Sequence, residues 1–188
     1  MRAKIINLVV FNIAWFACIL GAAWGLPWLG VVVVSLSLFG HLYYAGFDRG
    51  LATLFAVAFG LGWVLDSLVV AVGALGFPEY ALLLAPVPIW MPCMWASLST
   101  ALNLSLGWMR GRWIVAVLFG LLGGPGAYYT GMKLGAVTLG DELMRSLLIV
   151  GIEWGVAMPV LVWLSMRLVP EGSGTTAPKV THTHGVPS

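Results

Sequence analysis

Two acidic residues stand inside long apolar stretches of the sequence, where a charge is costly. Asp66 lies in the run GWVLDS and Glu153 lies in the run GIEWG. Removal from water disfavours the charged form of a carboxyl group, and such groups at membrane depth often mark functional sites. We therefore predict that Asp66 and Glu153 form a catalytic acid–base pair or a proton relay. The alternative is that both acids are neutral and only hold helices together through hydrogen bonds.

Uncharged polar and aromatic side chains are the expected surroundings of these acids. Asn12 stands in the first apolar stretch, whereas Ser99 and Asn103 stand four residues apart in the fourth and share one face of a helix. Three aromatic residues lie close to the acids in sequence or follow a proline. The predicted lining of one polar, substrate-binding cavity is Asn12, Ser99, Asn103, Trp63, Trp154 and Tyr128.

The composition of the chain is typical of a membrane protein. Hydrophobic residues make up 61% of the 188 residues and charged residues only 9%, whereas soluble domains carry about 25% charged residues. The net charge of +2 is too small for a nucleic-acid-binding surface. Cys18 and Cys93 lack metal-ligand spacing, and the sequence has no phosphate-binding loop, zinc-binding helix or nucleophile elbow. We expect no metal, no cofactor and no nucleic-acid partner.

Six apolar stretches are long enough to cross about 30 Å of hydrocarbon. They lie at residues 5–24, 28–44, 51–75, 89–108, 113–133 and 143–168. The predicted fold is therefore all-α, an integral membrane bundle of six transmembrane helices within residues 1–169. In the fifth helix Pro125 predicts a kink or a break, and Gly120 with Gly124 predicts close contact with a neighbouring helix.

The distribution of basic residues sets the predicted orientation. If the N-terminus is cytoplasmic, the basic residues on the cytoplasmic side are Arg2, Lys4, Arg49, Arg110, Arg112, Arg167 and Lys179. Only Lys133 and Arg145 then lie outside, as the positive-inside rule requires. Residues 170–188 are poor in apolar residues and are predicted to form a disordered cytoplasmic tail. The expected localisation is the bacterial inner (cytoplasmic) membrane, with several crossings and both termini cytoplasmic.

Several short motifs along the chain resemble a known bacterial family. They are FNxxWFxC at 11–18, LPW at 26–28, DS at 66–67, TxxN at 100–103, GGPxAY at 123–128 and EW at 153–154. In this order they resemble small polytopic inner-membrane proteins of unknown function. The resemblance implies genes that are often encoded beside enzymes similar to cyclopropane-fatty-acid synthases, and hence a role in modifying the acyl chains of membrane lipids. It brings no established reaction.

The sequence thus favours an inner-membrane enzyme or accessory factor of lipid metabolism. Its expected partners are membrane lipid and other lipid-modifying enzymes of the membrane. Two alternatives remain open. In a small proton-coupled transporter, the same two acids would bind and release protons during transport. In a structural scaffold for partner membrane enzymes, the acids would form no functional site.

Overall fold

The structure is a computed structural model that describes residues 1–78, 83–84 and 86–169. Its helices are α1 (Arg2–Ala23), α2 (Pro27–Tyr44), α3 (Arg49–Ala71), α4 (Trp90–Asn103), α5 (Trp113–Lys133) and α6 (Leu143–Leu168). Its short strands are β1 (Leu75–Gly76), β2 (Leu83–Leu84), β3 (Val87–Pro88) and β4 (Thr138–Leu139). The predicted all-α class is confirmed. The predicted tail, 170–188, lies outside the described residues.

Local signals explain where the helices begin and end. Pro27 occupies the first turn of α2, where its missing N–H leaves no hydrogen bond unmade. The carboxylate of Asp48 accepts a hydrogen bond of 2.8 Å from the Leu51 amide and caps α3. Gly25 adopts a φ of 73°, which closes the turn between α1 and α2. Pro125 lies inside α5, which remains one continuous helix, so the predicted break does not occur.

Five of the helices are long and apolar enough to cross a membrane, and they range from 18 to 26 residues. The exception in the described chain is α4, whose 14 residues rise about 21 Å. The fourth predicted span, 89–108, is therefore not one continuous helix. The helix ends at Asn103, and the chain continues through a turn to a short 3-10 helix at Gly107–Met109.

The short helix α4 lies at the centre of the bundle. Twelve of its 14 residues are buried, and it packs against α1, α2, α3 and α6, whereas α5 packs mainly against α6. The long helices expose large apolar side chains on their outer faces, such as Val32 and Leu36 of α2. Such a surface suits lipid rather than water, so the protein is a multi-pass membrane protein in its architecture.

The two ends of the bundle are distinct. At one end β1 pairs with β4, joining the chain after α3 to the chain before α6, and we call this end the strand side. At the other end the Arg110 guanidinium donates to the carbonyl oxygens of Ser165 and Val169, at 3.3 and 3.1 Å. We call this end the Arg110 side. Because α3 ends and α6 begins at the strand side, these two helices are antiparallel.

Candidate functional site

Asp66 is a fully buried acid held by two other helices. It lies on α3, five residues before the end of the helix at the strand side. The indole Nε1 of Trp95 on α4 donates to Asp66 Oδ2 at 2.8 Å. The hydroxyl of Tyr128 on α5 donates to Asp66 Oδ1. Both carboxylate oxygens therefore have a donor, and the three side chains connect α3, α4 and α5.

Glycines one helical turn away make room for the aromatic partners. Gly62 precedes Asp66 by four residues, so both lie on one face of α3, and a Cβ at Gly62 would overlap the indole ring of Trp95. Gly124 stands in the same relation to Tyr128 on α5. A Cβ there would meet Trp154 Cβ at 2.6 Å. A glycine four residues before a buried polar residue is the sequence signal for this arrangement, and the sequence analysis did not use it.

Three aromatic rings form a wall beside the acid. The rings of Trp95 and Trp154 are stacked, with centroids 4.2 Å apart and an interplanar angle of 23°. The ring of Tyr128 meets that of Trp154 edge to face, at 6.3 Å and 69°. Such stacked and edge-to-face pairs are favoured by the aromatic quadrupole. They fix the Trp95 indole and the Tyr128 hydroxyl in the positions from which they donate to Asp66.

Glu153 lies beside this cluster on α6, next to Trp154. Both of its carboxyl oxygens are shielded from solvent, and neither has a hydrogen-bond partner among the described residues. The next residue on α6, Trp154, stacks on Trp95, which donates to Asp66 Oδ2. Glu153 is thus joined to the aromatic wall through its neighbour in sequence, whereas Asp66 is joined to the wall by hydrogen bonds.

A cavity of about 400 Å³ adjoins the aromatic wall and lies between α1, α4 and α5. Apolar side chains dominate its lining, and no lining residue is charged. Tyr128 and Trp95 belong both to this lining and to the hydrogen bonds around Asp66. Asp66 and Glu153 themselves lie behind the wall. Tyr128 and Trp95 therefore stand between the cavity and Asp66.

Half of the predicted cavity lining is found at this cavity. Asn12, Trp154 and Tyr128 are lining residues. Asn12 is exposed at the edge of the cavity, and its amide donates at 2.7 Å to the Leu8 carbonyl of its own helix. It makes no hydrogen bond to either acid. This hydrogen bond gives the amide N–H an acceptor within α1, as suits a residue that faces lipid.

The other three predicted residues, Ser99, Asn103 and Trp63, do not line the cavity. Asn103 accepts a hydrogen bond from Arg110 and donates to the Ser99 carbonyl at 3.2 Å. The hydroxyl of Ser99 donates to the Ala96 carbonyl at 2.6 Å. Both residues lie one to two turns beyond Trp95 toward the Arg110 side, about 6–12 Å from its level. Their depth, which periodicity does not give, separates them from Asp66.

A second buried polar cluster joins α1 to the chain around the end of α4. The Asn7 amide nitrogen donates to Thr100 Oγ1 at 3.1 Å, and Asn7 Oδ1 accepts from the Ser105 hydroxyl at 2.8 Å. The sequence analysis missed Asn7 because it stands only two residues into the first apolar stretch. An amide so near a predicted interface gives no signal of burial.

Replacing Asn7 by alanine is expected to lower the free energy of unfolding by about 1–3 kcal/mol, since it removes the donor to buried Thr100 and leaves the part-buried Ser105 hydroxyl without its acceptor. The matched control is Asn12→Ala on the same helix, which removes only a hydrogen bond within α1 at an exposed position. Thermal unfolding in one detergent measures both. Equal loss in the two variants would contradict the assigned role of Asn7.

Comparison with known proteins places the chain in a family. A family model described as a protein of unknown function (DUF2878) matches residues 4–160. The chain belongs to the DUF2878 family. The DUF2878 region includes Asp66, Tyr128 and Glu153 and reaches into the second half of α6. No curated protein and no solved structure matches the chain.

The DUF2878 description names no reaction, so the function has to be inferred from the site. Within the described ranges, no group of three or more His, Cys, Asp or Glu residues comes together in a way that could hold a metal ion. The lining residues of the cavity that carry polar groups are Asn12, Tyr128, Trp15, Trp95 and Trp154, and the carboxyl groups of Asp66 and Glu153 lie outside the lining.

Proposed function

We propose that this protein binds a membrane lipid in its cavity and serves an acid–base step in the modification of the fatty acyl part of that lipid. The proposal rests on Tyr128, which lines an apolar cavity and donates a hydrogen bond to a fully buried carboxyl group. Few structural roles require two acids and a hydroxyl close to an apolar cavity, with the second acid lacking a hydrogen-bond partner in the described chain.

The roles of the residues follow from their positions. Tyr128 is the lining residue whose hydroxyl donates to Asp66, so it connects the cavity to the acid. Asp66 accepts the tyrosine hydrogen bond and can take up or return its proton. Glu153 holds the second carboxyl, one residue before Trp154 of the aromatic wall. We assign it the complementary role, so that one acid donates a proton in the step and the other accepts one.

The proposed setting is the bacterial inner membrane, crossed six times, with both termini cytoplasmic. Five long helices and the passage from α4 through Gly107–Met109 would make the six crossings. The strand side would then face outward and the Arg110 side would face the cytoplasm. The described basic residues at that side agree with the positive-inside rule: Arg2, Lys4, Arg49, Arg110, Arg112 and Arg167. Partner enzymes of lipid modification would meet the protein in the same membrane.

The test is lipid mass spectrometry of cells that lack the gene, complemented with the wild type or with single variants. Asp66→Asn and Glu153→Gln are expected to reduce the affected lipid species by about 100-fold, the usual scale of lost acid–base catalysis. Glu142→Gln is the matched control, because Glu142 is an exposed acid that precedes α6. It should restore the wild-type lipid profile.

An unchanged lipid profile in the deletion strain would overturn the proposed lipid modification. One observation favours proton-coupled transport as the second candidate: Glu153 is shielded from solvent and lacks a hydrogen-bond partner within the described chain, as a proton carrier between two states would. In that case the same two variants would abolish uptake of a solute. If both variants complement fully in every assay, the protein acts as a scaffold.

A further inference from the structure

We propose that the cavity holds a single acyl chain of a membrane phospholipid, which enters sideways from the bilayer through a slit between α1 and α5. This inference rests on the proposed function and adds the shape of the substrate and its route. The slit is the gap between the two helices at the level of the cavity. Its edges are formed by Leu8, Asn12 and Phe16 on α1 and by Phe119 and Gly123 on α5.

Exposure of these edge residues shows that the cavity opens on the lipid-facing surface. Leu8 and Phe16 are each 47% exposed and Phe119 is 39% exposed, although all three also line the cavity. Asn12 and Gly123 are exposed as well. A closed pocket would bury its lining, so the exposure of both edges marks an opening between them.

The two edges match in depth along the membrane. Leu8 and Phe119 each stand six residues after the first residue of their helix, and Asn12 and Gly123 each stand ten residues after it. Both helices start at the Arg110 side, so these pairs lie about 9 and 15 Å from that end. The slit therefore runs through the hydrocarbon region, where acyl chains and not headgroups are found.

The dimensions of the cavity fit one chain. On α1 the lining extends from Leu8 to Ile19, which is about 16 Å along the helix axis. A volume of about 400 Å³ spread over that length leaves a narrow cross-section of about 25 Å². This is the shape of one extended hydrocarbon chain. We therefore assign one chain to the cavity and leave the second chain in the bilayer.

Small residues on α5 create the space, and flexible ones on α4 border it. Gly123, Ala127 and Gly131 follow one another at four-residue spacing along the lining face of α5. On the opposite wall stand Met91 and Met94 of α4, whose unbranched side chains adapt to the outline of a flexible ligand. No lining residue carries a charge that would select a headgroup.

The position of Tyr128 indicates which part of the chain it would meet. Tyr128 stands five residues, or about 8 Å, from the end of α5 at the strand side. Half of the hydrocarbon core is about 15 Å thick, so the hydroxyl lies below the headgroup region. Tyr128 therefore borders carbon atoms of the chain itself and not the ester group that joins the chain to the headgroup.

Photocrosslinking tests this inference on the full chain in lipid nanodiscs. The probe is phosphatidylglycerol with a diazirine in one acyl chain, and crosslinked residues are mapped by mass spectrometry. Met91, Met94 and Leu98 of α4 are the diagnostic positions, because α4 is enclosed by other helices and bulk lipid does not reach it. We expect labelling at these positions as well as on the lipid-facing residues Val32 and Leu36 of α2. No labelling of α4 would overturn the proposal.

Two leucine substitutions three residues apart on α5 provide the matched comparison. Gly123→Leu fills the slit and should lower α4 labelling at least about tenfold. Gly126→Leu places the same side chain where a Cβ has no neighbour within 4 Å and should leave α4 labelling unchanged. If Gly123→Leu does not fold, Ala127→Leu serves in its place. Equal α4 labelling in the slit-filling and control variants would overturn entry through the slit.

Further experiments identify the type of lipid that supplies the chain and distinguish failure of this inference from failure of the proposed function. If a diazirine fatty acid labels α4 and the phospholipid does not, the chain does not come from a phospholipid. If only a photoreactive isoprenoid labels α4, the ligand is not an acyl chain. Asp66→Asn should leave α4 labelling intact, because Asp66 does not line the cavity. Labelled α4 with a normal Asp66→Asn lipid profile would refute the proposed function alone. Unlabelled α4 with an altered profile would refute this inference alone.

Discussion

Asp66→Leu is expected to be among the most destabilising substitutions in this protein. The leucine side chain fills a similar space but accepts no hydrogen bond, so the Trp95 indole N–H and the Tyr128 hydroxyl both lose their acceptor in a fully buried place. Each orphaned donor costs about 1–3 kcal/mol. The free energy of unfolding, measured by denaturant titration in a fixed detergent, should fall by the sum of two such costs.

Asp66→Asn is the control that separates structure from chemistry. The amide oxygen of asparagine can accept from Trp95 Nε1, and its N–H can donate to the Tyr128 oxygen, but the Tyr128 hydroxyl proton then loses its acceptor. This variant should therefore show the cost of one orphaned donor, about 1–3 kcal/mol, where Asp66→Leu shows two, and it should lose the proposed proton transfer. If Asp66→Leu is as stable as Asp66→Asn, the hydrogen bonds around Asp66 do not contribute to the fold as we describe.

The second large effect is expected at Gly120, where α5 and α6 touch backbone to backbone. A Cβ at this position would overlap the carbonyl oxygen of Trp154 and come within 3.0 Å of the amide nitrogen of Gly155. Backbone atoms cannot rotate away, so Gly120→Ala must push the two helices apart. We expect a loss of about 3 kcal/mol or more, at the upper end of the range for overpacking.

Gly126→Ala provides the matched control on the same helix. A Cβ at Gly126 has no neighbour within 4 Å, so the change only improves helix propensity, by about 0.5–1 kcal/mol. Thermal unfolding of the two variants in the same detergent should therefore move in opposite directions. A melting temperature for Gly120→Ala equal to that of the wild type would show that α5 and α6 do not approach as closely as the structure has them.

The lengths of the apolar stretches in the sequence predict most of the fold. The apolar stretches at 113–133 and 143–168 coincide with α5 and α6, because a run of about 20 apolar residues bounded by turn residues is a local property of the chain. The stretch at 89–108 forms a helix only as far as Asn103. There Asn7, about a hundred residues away, binds Ser105 and stabilises a turn that no local signal reveals.

The sequence also determined which residues are unusual, since a carboxyl group in an apolar stretch is conspicuous by itself. Asp66 and Glu153 were recognised in this way, and so was the close contact at Gly120 and Gly124. It did not determine the partners of Asp66, which are 29 and 62 residues away in sequence at Trp95 and Tyr128. Nor did it show that Asn103 turns toward Arg110.

Only the tertiary structure decides such pairings, because a membrane helix is surrounded by lipid and not by water. In a soluble helix the polar face marks the outside, so periodicity reveals which residues point inward. In a membrane both the lipid-facing and the protein-facing sides are apolar, and the contrast between them is weak. The rotation and depth of each helix are then set by close packing, such as Gly62 against Trp95 and Gly124 against Trp154. These contacts arise between helices and are absent from any one of them alone.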